Sequence, residues 1–186
     1  MNAHVDWLRQ SGETIRFHTH RRIKEETTGQ HTYGALCLLH YITDGEAPAR
    51  LIWALLFHDA AEQDVGDLPG PVKKDLGAQF ADMFNERETA YLAEHGVTYA
   101  LNNEERWLLK ACDIFDGLFS CVEEIKRGNR LRAAAPYANY RRYAASMIAA
   151  RLPPMKNDAD DAQRAATARC AELYEIISEK MRGENI

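Results

Sequence analysis

The chain has 186 residues, of which 46% are hydrophobic and 27% are charged, a composition typical of one globular domain. Its 23 basic and 28 acidic residues give a formal net charge of −5, which argues against polymeric nucleic acid as a partner but not against a small anionic substrate. No apolar run approaches the ~20 residues of a membrane span, and the first ten residues, MNAHVDWLRQ, lack the apolar stretch expected of a signal peptide. We therefore expect a cytoplasmic protein without a membrane partner, whose four cysteines, lacking CxxC spacing, are reduced thiols.

The hydrophobic periodicity is helical along the chain, and no alternating strand pattern interrupts it. The polar residues 13–30 have no sustained period and are interpreted as a loop or short helix over the surface. Capping residues, prolines and glycines mark the helix ends. The predicted helices cover residues 5–10, 31–42, 48–64, 73–96 (as one or two helices), 101–127, 136–151 and 158–182. The predicted fold is all-α, a single helical-bundle domain over residues 1–186 with six or seven helices.

One stretch, residues 51–71, places ionisable groups at the end of an apolar run. The run ends in His58 and Asp59, Glu62 follows within one turn, and Asp67 precedes a Pro-Gly-Pro break. Ionisable groups beside a buried segment are costly unless they are paired, hydrogen-bonded or bound to a metal. His58 and Asp59 alone could be a hydrogen-bonded pair at a helix end, but the additional acids favour a metal site.

Two other segments supply further candidate ligands. His31 begins a predicted helix, with Gly34 one turn later leaving space for a close approach, and Asp113 lies beside the apolar stripe of a later helix. Asp116 is the competitor of Asp113. Two imidazoles and two carboxylates suit Mn, Fe, Co, Ni or Zn better than Mg or Ca, which prefer oxygen ligands. The expected cofactor is a divalent transition metal (Co, Mn, Zn, Fe or Ni) held by His31, His58, Asp59 and Asp113.

The order of these four residues resembles the H…HD…D signature of HD-domain metal-dependent phosphohydrolases. Residues 58–74, HDAAEQDVGDLPGPVKK, resemble the HD(A/S)xE…GDLPTPVK segment of bacterial 5′-deoxynucleotidases, and they also resemble small phage dATP triphosphohydrolases. An arginine followed by an aromatic residue, fifteen positions before the first metal histidine, is another feature of that group, matched here by Arg16 and Phe17. Lys110, three positions before Asp113, is a further match. The resemblance covers roughly residues 13–127, and residues 128–186 add only helices.

The resemblance implies a role for each matched position. His31, His58, Asp59 and Asp113 correspond to the metal ligands, and Glu62 and Asp67 to the acid/base pair that orients water and serves the leaving group. The positions that correspond to substrate contacts are Arg16, Phe17, Gly66, Lys73 and Lys110. Among them the three cations hold phosphate, and Phe17 stacks beside the nucleoside where the deoxynucleotidases carry tryptophan. Val65 and Gly70 stand where the family often has threonine, so hydroxyl contacts to phosphate are missing there.

The expected activity is removal of the 5′-phosphate group or groups of a small deoxynucleotide. The compact spacing of the signature, 27 residues from His31 to His58 and 54 from Asp59 to Asp113, favours a dNTP triphosphohydrolase, with dATP as the candidate. A 5′-deoxynucleotidase acting on dNMPs is the first alternative, and a non-catalytic nucleotide-binding regulator on the same fold is the second. A plain helical bundle is the structural alternative.

The resemblance also implies assembly and source. A homo-oligomer, either a dimer or a hexamer, is expected, and the tyrosine-rich helix at residues 136–151 is a candidate contact surface. The expected location is a bacterial cytoplasm, and a phage gene is an alternative source.

Overall fold

The computed structural model describes residues 2–151 and 160–184. These residues form nine α-helices and one 3₁₀ turn, at Ser11–Glu13; their only β-type pairing is an isolated antiparallel bridge between Ile15 and Thr27. The helices are α1 (Ala3–Gln10), α2 (Thr28–Thr43), α3 (Ala49–Leu56), α4 (Glu62–Val65), α5 (Gly70–Asp75), α6 (Ala78–Glu94), α7 (Asn103–Lys126), α8 (Arg130–Ala149) and α9 (Asp161–Lys180). The all-α prediction is confirmed. Within the same ranges, no helix is long and apolar enough to cross a bilayer.

Helix α7 is the centre of the bundle. It is about 36 Å long and packs against α2, α3, α8 and α9, so that more than half of its residues are buried. Asn102 caps its first turn in a reciprocal capping box with Glu105, as its sequence predicts. The largest fully buried side chains lie around it: Phe115, Leu118 and Ile125 of α7, Leu39 and Ile42 of α2, Leu51 and Leu55 of α3, and Ile177 of α9. A segment that is hydrogen-bonded to α7 is therefore fixed to the hydrophobic core.

Helix α2 begins three residues earlier than its hydrophobic period predicts. Thr27 caps the helix and accepts a hydrogen bond from the backbone amide of Gln30, whose side chain binds back to Thr27. His31 is consequently the fourth residue of α2 rather than the first, and it is completely buried. The helix ends at the predicted turn, where Asp44 and Gly45 both have positive φ.

The segment predicted as one helix over residues 48–64 is divided in two. Helix α3 ends at Leu56, because the backbone of Phe57 (φ −116°, ψ 13°) leaves helical geometry, and a turn follows before α4 starts at Glu62. His58 and Asp59 therefore lie in a turn and not on a helix face. This break and the separation of α5 from α6 explain why the structure has more helices than predicted.

The remaining differences concern helix boundaries. Helix α8 starts six residues before Pro136, because the chain turns earlier, at Gly128 (φ 104°), and the helix therefore contains this proline, whose missing N–H removes one backbone hydrogen bond. Asp160 caps α9, and the predicted start at residue 158 lies outside the described residues. Helix α6 buries no residue, and its packing is with α4 and α5. The four cysteines are free, as expected.

Candidate functional site

The four residues expected to bind metal come from three separate elements and lie together. His31 is on α2, His58 and Asp59 are in the turn after α3, and Asp113 is on α7. The Nε2 atom of His31 lies 3.3 Å from Nε2 of His58, 3.4 Å from Oδ1 of Asp113 and 3.6 Å from Oδ2 of Asp59. Oδ1 of Asp59 is 3.2 Å from Nε2 of His58. His31, His58 and Asp113 form a cluster with the geometry to hold a metal ion.

The two imidazoles are oriented so that their Nε2 atoms face each other. Nδ1 of His31 lies 2.7 Å from Oδ2 of Asp116, and Nδ1 of His58 lies 2.7 Å from the carbonyl oxygen of Leu55. Because both partners are hydrogen-bond acceptors, each neutral ring carries its proton on Nδ1. The Nε2 lone pairs then point at one another, which is unfavourable unless a cation lies between them. This donor set fits a transition metal. The Asp116 carboxylate and the Leu55 carbonyl, which lie at the Nδ1 atoms, fix the orientation of the two rings.

Asp116 is thus a site residue that the sequence offered only as a competitor of Asp113 for the metal. It supports His31 as a hydrogen-bond acceptor rather than replacing Asp113 as a ligand. Gly34 faces it across the α2–α7 contact, and a Cβ atom at that position would overlap Oδ1 of Asp116. The sequence signal was present, since Asp116 lies one helical turn after Asp113 and so on the same face of α7.

Two cations neutralise the carboxylates of the cluster. Arg16 is only 7% exposed, and its Nη1 atom lies 3.1 Å from Oδ2 of Asp59, so this part of residues 13–30 enters the core instead of covering the surface. Nζ of Lys110 lies 2.6 Å from Oδ2 of Asp113, although the Lys110 side chain is 61% exposed. Burial alone would raise the pKa of Asp113, but Lys110, His58 and Arg16 lower it to about 2. Asp113 is therefore ionised.

Glu62 is close enough to Asp59 for their charges to interact, and one of its carboxyl oxygens lacks a polar partner. Its Oε2 atom is buried, and no described residue forms a hydrogen bond with it. Burial, reinforced by the charges of Asp59 and Asp67, raises the pKa of Glu62 to about 10. Positive charge introduced beside it favours the ionised form. A buried carboxyl with a free oxygen can bind a water molecule or exchange a proton with a bound ligand.

Asp67, Phe17 and Gly66 form the rim of the site. Phe17 has a left-handed backbone (φ 54°), and its amide donates a hydrogen bond to Oδ2 of Asp67 at 2.9 Å. The Phe17 ring meets Tyr140 edge-on at 6.1 Å between ring centroids. Gly66 also has positive φ (81°), and the space beside its Cα is open. The rim therefore offers an aromatic ring and an open backbone position next to the carboxylates.

Lys73 does not contact the other predicted site residues. It lies on α5, where Nζ is 3.2 Å from Oε1 of Glu88 and 4.2 Å from the centroid of the Phe84 ring. Both partners belong to α6. The structure thus brings together the four expected ligands, Arg16 and Lys110, and it places Lys73 on the neighbouring α5–α6 hairpin.

Curated proteins of known activity resemble the chain in sequence. Over 131 residues, the chain is 27% identical to a 5′-deoxynucleotidase of Enterobacter sp. (strain 638) and to 5′-deoxynucleotidase YfbR of Escherichia coli (strain K12 / DH10B). These matches cover 59% of this chain and 66% of each relative, so the chain spans just under two thirds of the length of the curated relatives.

A solved structure shares the fold. The cyanophage S-2L HD phosphohydrolase DatZ, bound to dA and one catalytic Zn²⁺ ion, superposes with a TM-score of 0.60 at 15% sequence identity, covering 95% of this chain and 98% of that one. The family model of the HD domain matches residues 9–105, which is just over half of the chain and includes His31, His58 and Asp59. The chain belongs to the HD domain family.

Proposed function

We propose that the protein is a metal-dependent phosphohydrolase that removes the 5′-phosphate group or groups of deoxynucleotides. The observation that carries this proposal is the pair of Nε2 atoms of His31 and His58 facing each other at 3.3 Å, with carboxylates beside them. The buried, unpartnered oxygen of Glu62 next to that pair supplies the group that hydrolysis requires. The 5′-deoxynucleotidases among the relatives support the substrate class.

His31, His58, Asp59 and Asp113 would hold the ion, a single divalent transition metal. When bound there, it supplies Lewis-acid polarisation of a phosphoryl oxygen. Arg16 and Lys110 flank the same carboxylates, so their N–H groups can bind phosphate oxygens that approach the centre. Glu62, ionised when positive charge is bound beside it, orients the attacking water and accepts its proton. Asp67 gives a proton to the leaving oxygen and accepts the hydrogen bond from the Phe17 amide. The Phe17 ring stacks on the nucleoside beside the open backbone at Gly66.

The preferred substrate is a dNTP, with dATP as the first candidate. Arg16 and Lys110 at the centre and Lys73 on the hairpin give three cations for a chain of three phosphates, since Lys73 can exchange Glu88 for phosphate. The resemblance to a phage phosphohydrolase solved with dA supports adenine. The alternative is a 5′-deoxynucleotidase acting on dNMPs, which the curated relatives favour. Release of triphosphate from dATP supports the first, and release of phosphate from dAMP alone supports the second.

A nucleotide-binding regulator would have no use for Glu62. We expect Glu62→Ala to lower the rate of hydrolysis by about 10²–10⁴-fold, while the metal content of the protein stays unchanged. Glu86→Ala, at an exposed position of α6, is the matched control and should leave the rate unaltered. Equal activity of Glu62→Ala and wild type, with metal bound, would favour the regulator.

We also propose that the protein assembles as a dimer or a hexamer. Its proposed location is the cytoplasm of a bacterium, and its gene belongs to the bacterium or to a phage. Tyr137 is buried within the chain and Tyr140 packs on Phe17, so Tyr143, 37% exposed, is the tyrosine of α8 that remains for a contact between copies. Tyr33 and Trp53 are more exposed than Tyr143, at 73% and 52%. Light scattering at several protein concentrations measures the subunit number.

A further inference from the structure

A buried carboxylate far from the metal-binding cluster holds the loop that carries Arg16 and Phe17. Glu124 lies on α7, eleven residues and about 16 Å beyond Asp113, and is 1% exposed. A charge at such a position is costly unless hydrogen bonds satisfy it. Oε2 accepts a hydrogen bond from the amide of Ile23 at 2.9 Å, and Oε1 accepts one from the amide of Lys24 at 3.0 Å.

Asn129 completes this arrangement. Its Nδ2 atom donates to Oε2 of Glu124 at 2.9 Å and to the carbonyl oxygen of Arg21 at 2.9 Å. Burial alone would raise the pKa of Glu124, but these hydrogen bonds lower it below its ordinary value, so the group is a charged acceptor. Three positions of the loop, 21, 23 and 24, are thereby tied to the end of the central helix.

The loop, residues 14–27, is also closed at its base. The amide of Arg16 donates to the carbonyl of Glu26 at 2.9 Å, and the amide of Thr28 donates to the carbonyl of Thr14 at 2.9 Å. The loop is thus held at its base by these two bonds and at its far end by Glu124. Glu124 itself contacts none of the proposed metal ligands.

Arg22 connects the fixed end of the loop to Phe17. Its Nη2 atom donates to Oγ of Ser120 at 2.7 Å, and its guanidinium lies 4.6 Å from the centroid of the Phe17 ring. Phe17 is held in a left-handed conformation, which non-glycine residues avoid unless the surroundings impose it. The loop contacts supply that constraint on one side of Phe17. On the other side, the Asp67 carboxylate accepts a hydrogen bond from the Phe17 amide.

We propose that Glu124 is a positioning residue that sets the affinity for the nucleotide by holding the 14–27 loop, and with it Arg16 and Phe17, in the binding conformation. It acts through backbone amides and takes no part in the chemical step. This inference rests on the proposed function, because it assigns the substrate-binding loop of that same site.

The test compares Glu124→Gln with Glu123→Gln. Glu123 is the neighbouring residue on α7, 60% exposed and paired with Arg127, so the same chemical change occurs there without touching the loop. For Glu124→Gln with metal bound, KM for the substrate rises about tenfold, because one of the two loop amides loses its acceptor and the other binds a neutral oxygen instead of a charged one. The turnover number stays within about twofold, since the reacting groups are unchanged. Glu123→Gln matches wild type in both.

Hydrogen exchange gives a second measurement that does not depend on turnover. The amides of Ile23 and Lys24 exchange faster in Glu124→Gln than in Glu123→Gln. If Glu124→Gln fails to fold, Arg22→Lys is measured instead. Lysine keeps the positive charge but loses the planar contact with the Phe17 ring, so this variant should also raise KM. Arg22→Lys leaves Glu124 in place, so Ile23 and Lys24 stay protected.

Equal KM values for the two glutamine variants overturn the inference, and so does a fall in turnover at constant KM, which would give Glu124 a role in the chemical step. A wild type that hydrolyses no deoxynucleotide contradicts the proposed function alone. In that case calorimetric dATP affinity replaces KM in the same comparison, and unchanged affinity in Glu124→Gln overturns the positioning role.

Discussion

His31 illustrates how the site is built at the level of single residues. Its ring is completely buried, its Nδ1 atom faces Asp116, and its Nε2 atom is left to face His58 and Asp113. The contact with Asp116 requires a residue without a side chain at Gly34 on the same helix as His31. Orientation of one imidazole therefore depends on two residues that bind neither metal nor substrate.

The first prediction concerns Asp116→Asn. An amide can present its N–H to Nδ1 of His31 and so favour the wrong tautomer, with the proton on Nε2. We expect metal affinity to fall about 10–100-fold, as for other partners of metal-binding histidines. Titration of Zn²⁺ or Mn²⁺ against a chromophoric chelator measures it. Asp161→Asn, at an exposed position of α9, is the control and should bind metal like wild type.

The second prediction concerns Gly34→Ala. Alanine gains about 1 kcal/mol over glycine in helix propensity, but its methyl group collides with the Asp116 carboxylate. Overpacking costs about 1–3 kcal/mol, so we expect a net loss of stability together with weaker metal binding. Urea unfolding of Gly34→Ala and of the Gly34→Ala/Asp116→Ala double variant separates the two effects, because the double variant removes the collision. A single variant more stable than wild type would contradict the steric argument.

At the level of elements, local chemistry predicts helix ends well where a side chain closes them. Asn102 and Glu105 at α7 and the Asp44-Gly45 turn after α2 are readable in the sequence because the bonds are between near neighbours. The break of α3 at Phe57 has no such signal, because no proline or glycine occurs there. The break matters for function, since it turns His58 and Asp59 towards α2 and α7 together.

The third prediction tests the start of α2, which carries His31. Thr27→Ala removes the side-chain oxygen that accepts the Gln30 amide and should cost about 1 kcal/mol of unfolding free energy. Thr43→Ala, at the last turn of the same helix, loses only a bond from its hydroxyl to the Leu39 carbonyl and should cost less. Chemical denaturation with matched slopes gives both values. A larger loss for Thr43→Ala would show that the cap is not what fixes this helix end.

At the scale of the whole molecule, the site exists only because distant segments converge. The expected ligands could be named from the sequence because the spacing of their motif resembles a known family, and the structure brings those side chains together. The hydrogen bonds from Ile23 and Lys24 to Glu124 join residues about a hundred positions apart, and no local pattern announces them. The pairing of Lys73 with Glu88 is likewise invisible until α5 and α6 are folded.

The same convergence makes the metal a link between α2, α7 and the turn after α3. An ion that binds the folded chain alone, present at about one hundred times its dissociation constant, stabilises it by about 2.7 kcal/mol. For a chain of this size we therefore expect chelation to lower the unfolding temperature by about 5–10 °C. Scanning calorimetry with and without added Zn²⁺ or Mn²⁺ measures the shift. His58→Ala should abolish it because one of the facing nitrogens is gone, whereas His40→Ala, exposed on α2, should retain it. Equal shifts in the two variants would mean that the stabilising ion binds elsewhere.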